Sequence, residues 1–322
     1  MSAETSRRPP VAHAAAAAAA IIAAVHSGWH QVAFRREIEA PITPVTLGPL
    51  RLMLVDDGQR LQAYDATCPH RGAHLGHGGV LDGDVVVCPF HGRRIALGES
   101  SRGPLHVRSH PTIDYGGAVY VLPFGLGDTG LAPFLAGLAR THCFVAAFTL
   151  EAPVPPELVI ENAFDADHFT AVHGINRRPA LSIGHGDAGE LTVESVFETA
   201  AARPWGGEQV ATVARTRFLA RAFSPGLVAT EVGDADQPQV VITAATATPD
   251  GGSLIRVTLA VRDSDDEPAD HGMVMWLARD SRLAFEQDME IWRHLDVTAE
   301  PTLDAADEAV REFREFCRAF AL

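Results

Sequence analysis

Cys68-Pro69-His70-Arg71-Gly72-Ala73-His74-Leu75 and Cys88-Pro89-Phe90-His91-Gly92 are the two halves of the stretch on which the reading of this chain turns. Each half brings one thiol and one imidazole: C-x-H, seventeen intervening residues, then C-x-x-H. Thiolate suits iron or zinc, and imidazole suits many divalent metals. Pro69, Gly72, Pro89 and Gly92 mark both halves as turns. Turns of this kind aim backbone N–H groups at a buried, negatively charged centre.

A Cys2His2 zinc finger normally presents its cysteines together and its histidines downstream. Here each Cys travels with a His instead. That order suits a Rieske [2Fe–2S] centre, in which two histidines replace two cysteines on one iron and raise the reduction potential. Both halves closely resemble the Rieske motif. The resemblance implies that Cys68 and Cys88 hold one iron and that His70 and His91 hold the other. His74 and His77 fall outside the pattern and read as surface or supporting histidines. Respiratory Rieske domains carry an extra Cys in each loop; Ala73 and Phe90 stand in those places here, which points to the ferredoxin and oxygenase branch. A Rieske ferredoxin needs about one small domain of chain. This chain is roughly three times longer, at 322 residues, so most of it must do something else.

That length admits about two domains at ~150 residues each. With 47% hydrophobic and 21% charged residues, the composition is that of a globular protein with a real core. A formal net charge of −15 argues against nucleic acid and against anionic membrane surfaces as partners. All 26 basic residues are arginine. Of the four cysteines, Cys143 and Cys317 lie outside the cluster and read as core thiols. With no disulfide framework, a reducing cytoplasm fits. Arg7-Arg8 precedes an apolar, mostly Ala run from Ala14 to Val25, which invites a signal or twin-arginine reading. The run is 12 residues long, whereas a bilayer crossing needs ~20. Pro9-Pro10 ahead of it and His26-Ser27-Gly28 behind it favour a soluble Ala-rich helix within residues 1–27, with no stable membrane insertion.

From Trp29 the periodicity changes. Short β-branched or alternating runs at Trp29–Arg35, Thr43–Leu47, Arg51–Asp56, Arg60–Ala66, Asp84–Val87 and Ala118–Leu122 predict a small antiparallel sandwich or barrel over residues 28–125. The two Cys-His loops fall at strand ends. The glycine-rich stretch Gly125–Gly130 reads as the exit from this unit. In residues 126–322, Cys143–Leu150 and Pro155–Ile160 look extended, and Glu161–Val172 reads as one helix. Strands are expected over Leu191–Phe197, Val210–Arg217, Leu227–Val232, Gln239–Thr243 and Ser253–Val261. Two helices close the chain, Gly272–Trp292 and Ala305–Phe320. Strands followed by helices on one side make the second unit α+β.

The second informative segment is Glu161-Asn-Ala-Phe-Asp165-Ala-Asp-His168-Phe-Thr-Ala-Val-His173-Gly174. It contains D-x2-H-x4-H. Two histidines and one carboxylate with open positions are the ligand set of non-heme Fe(II) oxygenases. His168 and His173 are five apart, which places them on different faces of an ideal helix. A π-bulge near Phe169–Val172 is one way for both to reach a single ion. The third ligand must come from elsewhere.

Taken together, the two segments resemble the α-subunit of Rieske non-heme iron oxygenases, from about Trp29 onward. Glu-Asn-x-x-Asp-x-x-His-Phe-x-x-Val-His-Gly is most similar to the 3-ketosteroid 9α-hydroxylase oxygenase group. The resemblance implies an all-β Rieske domain followed by a helix-grip, START-like catalytic domain. It makes His168 and His173 the iron-binding histidines. Asp165 becomes the acid bridging a Rieske histidine of one subunit to the iron of its neighbour in a homotrimer, and Asn162 a residue beside the iron. Phe285-Glu-Gln-Asp288-Met-Glu-Ile291-Trp292 looks like the family's acidic segment, which makes Asp288 the third ligand, with Glu286 and Glu290 as rivals. One departure is Arg93, where the family often has Trp. The implied cofactors are a [2Fe–2S] cluster and a mononuclear Fe(II). The implied partners are a ferredoxin or ferredoxin reductase, O₂ and a small apolar substrate. Arg71, Arg93, Arg94, Arg102 and Arg108 surround the cluster loops of an otherwise acidic chain, a pattern that would steer an acidic ferredoxin.

Overall fold

The β-branched runs that follow Trp29 form short strands in the computed structural model, which describes residues 25–98, 105–205, 208–234, 237–263 and 269–322. They are β1 (His30–Phe34), β2 (Ile42–Leu47), β3 (Leu50–Asp56), β4 (Leu61–Asp65), β5 (Val80–Asp82) and β6 (Val85–Val87). β7 (Arg94–Leu97), β8 (His106–Val107), β9 (Ser109–His110), β10 (Thr112–Tyr115) and β11 (Ala118–Val121) complete the unit. Three small sheets result, ordered β1-β11-β10, β2-β3-β4-β9 and β5-β6-β7-β8. β3 explains how the sheets share a core. Its side chains alternate between faces, and both faces are buried. Leu52 and Leu54 join Val32, Val119 and Val121, whereas Met53 and Val55 pack under Cys68 and Cys88. The floor beneath the two cysteines is therefore the back of the scaffold's central strand.

After Val121 the chain crosses to α1 (Leu131–Leu138), β12 (His142–Ala152), α2 (Pro156–Glu161) and α3 (Ala166–Ala171). Then follow β13 (Ser182–His185), β14 (Leu191–Trp205), β15 (Glu208–Ser224), β16 (Leu227–Asp234), β17 (Gln237–Ala247) and β18 (Ser253–Arg262). These strands form one antiparallel sheet, ordered β12-β18-β17-β16-β15-β14-β13. The helices α4 (His271–Trp292) and α5 (Glu308–Arg318) close the chain.

Burial on both faces sets this sheet's sequence. On β17, Val240, Ile242 and Ala244 pack with Trp29, Phe34 and Tyr120 of the N-terminal unit. Val241 and Ala245, one residue out of phase, belong to the opposite core under α4. Ser224 Oγ donates to the Trp29 carbonyl (2.7 Å), and Thr246 Oγ1 donates to that of Gln31 (2.8 Å), so the seam between the units is hydrogen-bonded as well as apolar. α4 packs Phe285 edge-on against Phe148 of β12. α5 stacks Phe313 on Phe164 and holds Glu161 through both arms of the Arg314 guanidinium, at 2.5 and 2.7 Å. None of the described helices is long and apolar enough to cross a membrane.

Three expectations need correction or fall outside view. Pro155–Ile160 is not extended: Pro156 opens α2, with Pro155 as its N-cap. Proline at the first helical position gives up no hydrogen bond and presets φ, which outweighs the strand preference of Val159 and Ile160. Glu161–Val172 is not one helix. A 3-10 turn spans Asn162–Phe164, Asp165 is extended (φ −102°, ψ 105°), and α3 starts afresh at Ala166. The Ala-rich helix of residues 1–27 lies almost wholly outside the described residues. His26-Ser27-Gly28 is irregular chain.

Candidate metal centres and cleft

The two Cys-His loops have the same backbone wiring. The amide of Cys68 donates to the Ala73 carbonyl (2.8 Å) and that of Gly72 donates to the Cys68 carbonyl (2.9 Å). Cys88 and Gly92 repeat this with Arg93 and Cys88, at 2.8 and 3.0 Å. Gly72 (φ 73°) and Gly92 (φ 67°) occupy the left-handed region that closes each loop. Both thiols are buried, whereas His70 is half-buried and His91 exposed. The two rings sit 5.0 Å apart, nearly perpendicular, and Nδ1 of His70 is buried without a hydrogen-bond partner among the described residues. Desolvation, then Arg93, His91 and Arg71 beside it, lower the pKa of His70 and favour the neutral imidazole that a metal takes. The donor set, thiols inward and imidazoles outward, fits a two-iron cluster whose histidine side meets the surface.

The second centre forms where α3 ends. Asp165 Oδ1 accepts from the amides of Asp167 (2.9 Å) and His168 (3.1 Å), capping α3 and fixing His168 in its first turn. The helix stops at Ala171. Ile175 N–H then reaches back to the Phe169 carbonyl (3.0 Å), with Gly174 at φ 67°. His173 sits inside this closing turn. The five-residue spacing is thus absorbed by the end of the helix, not by the expected π-bulge. Asp288 of α4, 5% exposed, meets both histidines: its Oδ1 lies 3.1 Å from His168 Nε2 and 3.5 Å from His173 Nε2. The rivals face solvent, Glu286 beside Arg282 and Glu290 beside Arg293. Among the described residues, Nε2 of His168, Oδ1 of Asp288 and Nδ2 of Asn162 are all buried without a hydrogen bond of good geometry. Convergent orphaned groups of this kind are unfavourable unless a ligand satisfies them. Two imidazoles and one carboxylate on one side are the donor set of a non-heme iron site with open positions.

Residues 28–109 match the Rieske [2Fe-2S] domain, and residues 132–320 match the 3-ketosteroid 9α-hydroxylase C-terminal domain. The chain belongs to this family of Rieske non-heme iron oxygenases. It is 24% identical to the oxygenase component of 3-ketosteroid-9-alpha-monooxygenase from Rhodococcus rhodochrous, over 91% of this chain and 79% of that one. It is 30% identical to the vanillate O-demethylase oxygenase subunit of Pseudomonas sp. (strain ATCC 19151), over 44% of each. The alignment thus spans less than half of that subunit. In fold it is similar to a fluorene-bound oxygenase solved in complex with the ferredoxin of carbazole 1,9a-dioxygenase. The TM-score is 0.63 at 15% identity, covering 93% of this chain and 92% of that one.

In this Rieske oxygenase a cleft of about 240 Å³ opens over the side chains of His168, His173 and Asp288. Asn162, His168, His173 and Asp288 form its inner end. Val159, Phe169, Phe218, Val228 and Val241 supply apolar wall, and one face of α4 makes the roof. Asp165 caps α3 and is half-buried. The sequence reading missed Gln287, whose Oε1 lies 2.9 Å from His173 Nδ1. Its position next to Asp288 was the available signal. The reading also missed Asp280, Ser281, Thr230 and Thr243, which bring oxygen atoms to the cleft. Threonines in a strand and charges on a helix carry no signal of their own.

Proposed function

We propose that this protein is the terminal oxygenase of a multicomponent system, hydroxylating an apolar, polycyclic, steroid-like or natural-product molecule with O₂ and two electrons. The carrying observation is the His168–His173–Asp288 convergence at the inner end of a mostly apolar cleft. On this reading Cys68, His70, Cys88 and His91 hold the [2Fe–2S] cluster, and His168, His173 and Asp288 hold Fe(II). When bound, the cluster supplies electrons singly and the Fe(II) activates O₂ beside the substrate. Asn162 directs its amide to the metal side of the cleft. Gln287 accepts from His173 Nδ1–H and so holds the tautomer with Nε2 toward the ion. The apolar walls exclude water from the reacting carbon.

The proposal includes a Rieske unit over residues 28–125 and a catalytic unit over 126–322. It also includes a homotrimer in which Asp165 bridges to the next subunit's cluster histidine, a ferredoxin or reductase partner, and a cytoplasmic setting suited to the free thiols of Cys143 and Cys317. Hydroxylation is the leading chemistry. Desaturation, O-demethylation, oxidative cyclisation and dihydroxylation use the same ligands.

The test is metal content followed by a substrate screen. Anaerobically reconstituted protein should hold three irons and two labile sulfides per chain. With a surrogate ferredoxin and reductase, polycyclic substrates should gain the mass of one oxygen atom. Two irons per chain, with none lost in His168→Ala, would reduce the protein to an electron carrier.

A further inference from the structure

The roof of the cleft is a single stripe of α4. Leu277, Asp280, Ser281, Ala284, Phe285 and Asp288 all line it, at spacings of three and four that put them on one helix face. The stripe carries two carboxylates. Asp288 is buried against the two histidines, whereas Asp280 is exposed at the mouth. They stand eight positions apart, about 12 Å along a helix rising ~1.5 Å per residue. Beyond Ser281, Ala284 and Phe285 make the interval apolar.

Asp280 has no ion-pair or hydrogen-bond partner among the described residues. Arg282, two positions on, is engaged with Glu286 and lies over the Phe148 ring. Across the cleft, the sheet is apolar at Val228, Val232 and Val241 but carries hydroxyls at Thr230 and Thr243. Thr230 pairs in register with Val241, and Val228 with Thr243, so the two threonines are diagonal neighbours on one sheet face. Neither hydroxyl has a partner among the described residues. The cleft thus joins one metal-ligating end, an apolar middle, and unpaired oxygen atoms that include a carboxylate.

We infer that Asp280 selects the substrate, and that the preferred class is an uncharged or cationic molecule presenting a hydroxyl or amine about two helical turns from its reacting carbon. A carboxylate only accepts hydrogen bonds, so the ligand must donate. A hydroxyl or ammonium donating to an ionised carboxylate makes a charge-assisted bond, stronger than a neutral one. A ligand carboxylate at the same place meets a like charge, the arrangement by which sites reject a wrong partner. Ser281, next to Asp280 on the same helix, can also donate to a lone pair of the ligand's oxygen. This inference rests on the oxygenase reading above, because it takes the His168–His173–Asp288 end as the reacting end.

The test uses the full chain, iron-loaded and anaerobic so that nothing turns over. Isothermal titration compares two probes with the same ring system: testosterone, which ends in a 17β-hydroxyl, and 3-oxo-4-androstene-17β-carboxylic acid. The expected preference is about tenfold for the hydroxyl probe, the size of one charged hydrogen bond in a partly wet site. In Asp280→Asn the two should come within about twofold, and in Asp280→Lys the carboxylate should bind tighter. Position 280 is exposed, so neither change threatens folding. Equal binding of both probes to the unaltered protein, or a preference that persists in Asp280→Asn, overturns the role of Asp280 and leaves the oxygenase reading standing. Failure of both probes to bind overturns the polycyclic substrate class and this inference with it.

Discussion

Gln287 Oε1 stands 2.9 Å from His173 Nδ1. The amide oxygen can only accept, so the ring's Nδ1 carries the proton and Nε2 is left unprotonated toward Asp288. Outer partners of metal-binding histidines fix ring orientation and tautomer, and their loss typically weakens metal binding about 10–100-fold. Gln287→Leu should weaken Fe(II) or Co(II) binding within that range, measured by titration of metal-free protein and not by turnover. Gln287→Glu keeps an acceptor and should restore most of the affinity. Equal affinity in both variants and the unaltered protein would make this hydrogen bond incidental.

The stacked pair His26 and His30 gives the protein a built-in acid sensitivity. Their rings lie 3.8 Å apart and both are buried at the seam between the two units. Burial lowers the pKa of His30 to about 4, and burial together with neighbouring His30 pushes that of His26 well below the ordinary value. Well above pH 6.5 folded and unfolded chains are both neutral here, and this pair contributes no pH dependence. As pH falls from there toward 4, the unfolded chain binds protons that the folded chain refuses, so stability declines. For His30 alone the full effect is about 3 kcal/mol. The urea midpoint should therefore drop between pH 7 and pH 5, and drop less in His30→Phe, which keeps the ring stack without the titration. An identical decline in the two proteins would place the acid sensitivity elsewhere.

Electron entry concerns the exposed tip. Of the five arginines that suggested a docking surface, Arg94 is paired with Asp82 (2.5 Å), Arg108 lies 3.5 Å from Asp65, and Arg102 lies outside the described residues. Arg71 and Arg93 remain, both exposed beside His70 and His91, with Arg71 over the ring of the exposed Phe90. The expectation narrows accordingly. Arg71→Glu with Arg93→Glu should slow reduction by an acidic ferredoxin about tenfold at low salt and flatten its salt dependence, because steering by exposed charges is screened. Arg94→Glu should do less. Stopped-flow bleaching of the cluster colour against ionic strength reads both.

Legibility followed range along the chain. The Cys-His loops could be read because each closes within a few residues, and a local turn with its ligands leaves a local pattern. Asp288 could be singled out only because a resemblance pointed to its helix. Its buried place among exposed Glu286 and Glu290 is a tertiary fact. α2 was misread because Val159 and Ile160 favour strands, whereas Pro156 and packing against α5 decide for helix. The break at Asp165 was hidden because a capping aspartate looks the same as any helix-surface acid until its neighbours' amides are located. Thr230, Thr243 and Asp280 gave no sign because a cleft is made by which faces meet, and no single strand or helix records that.

Asp165 has two roles to separate, one observed and one proposed. Its Oδ1 caps α3 and thereby positions His168. The proposed bridge to a neighbouring subunit's histidine needs its other oxygen and its charge. Asn caps helices about as well as Asp, whereas Ala at a cap typically costs ~1 kcal/mol. Asp165→Asn should therefore keep fold, cluster colour and Fe(II) content but lose most turnover, because electrons no longer pass efficiently between centres. Asp165→Ala should lose turnover and also melt lower. Single-turnover product formation from pre-reduced Asp165→Asn, together with iron analysis, separates the two roles. Activity near that of the unaltered enzyme would remove Asp165 from the electron path and leave it only a helix cap.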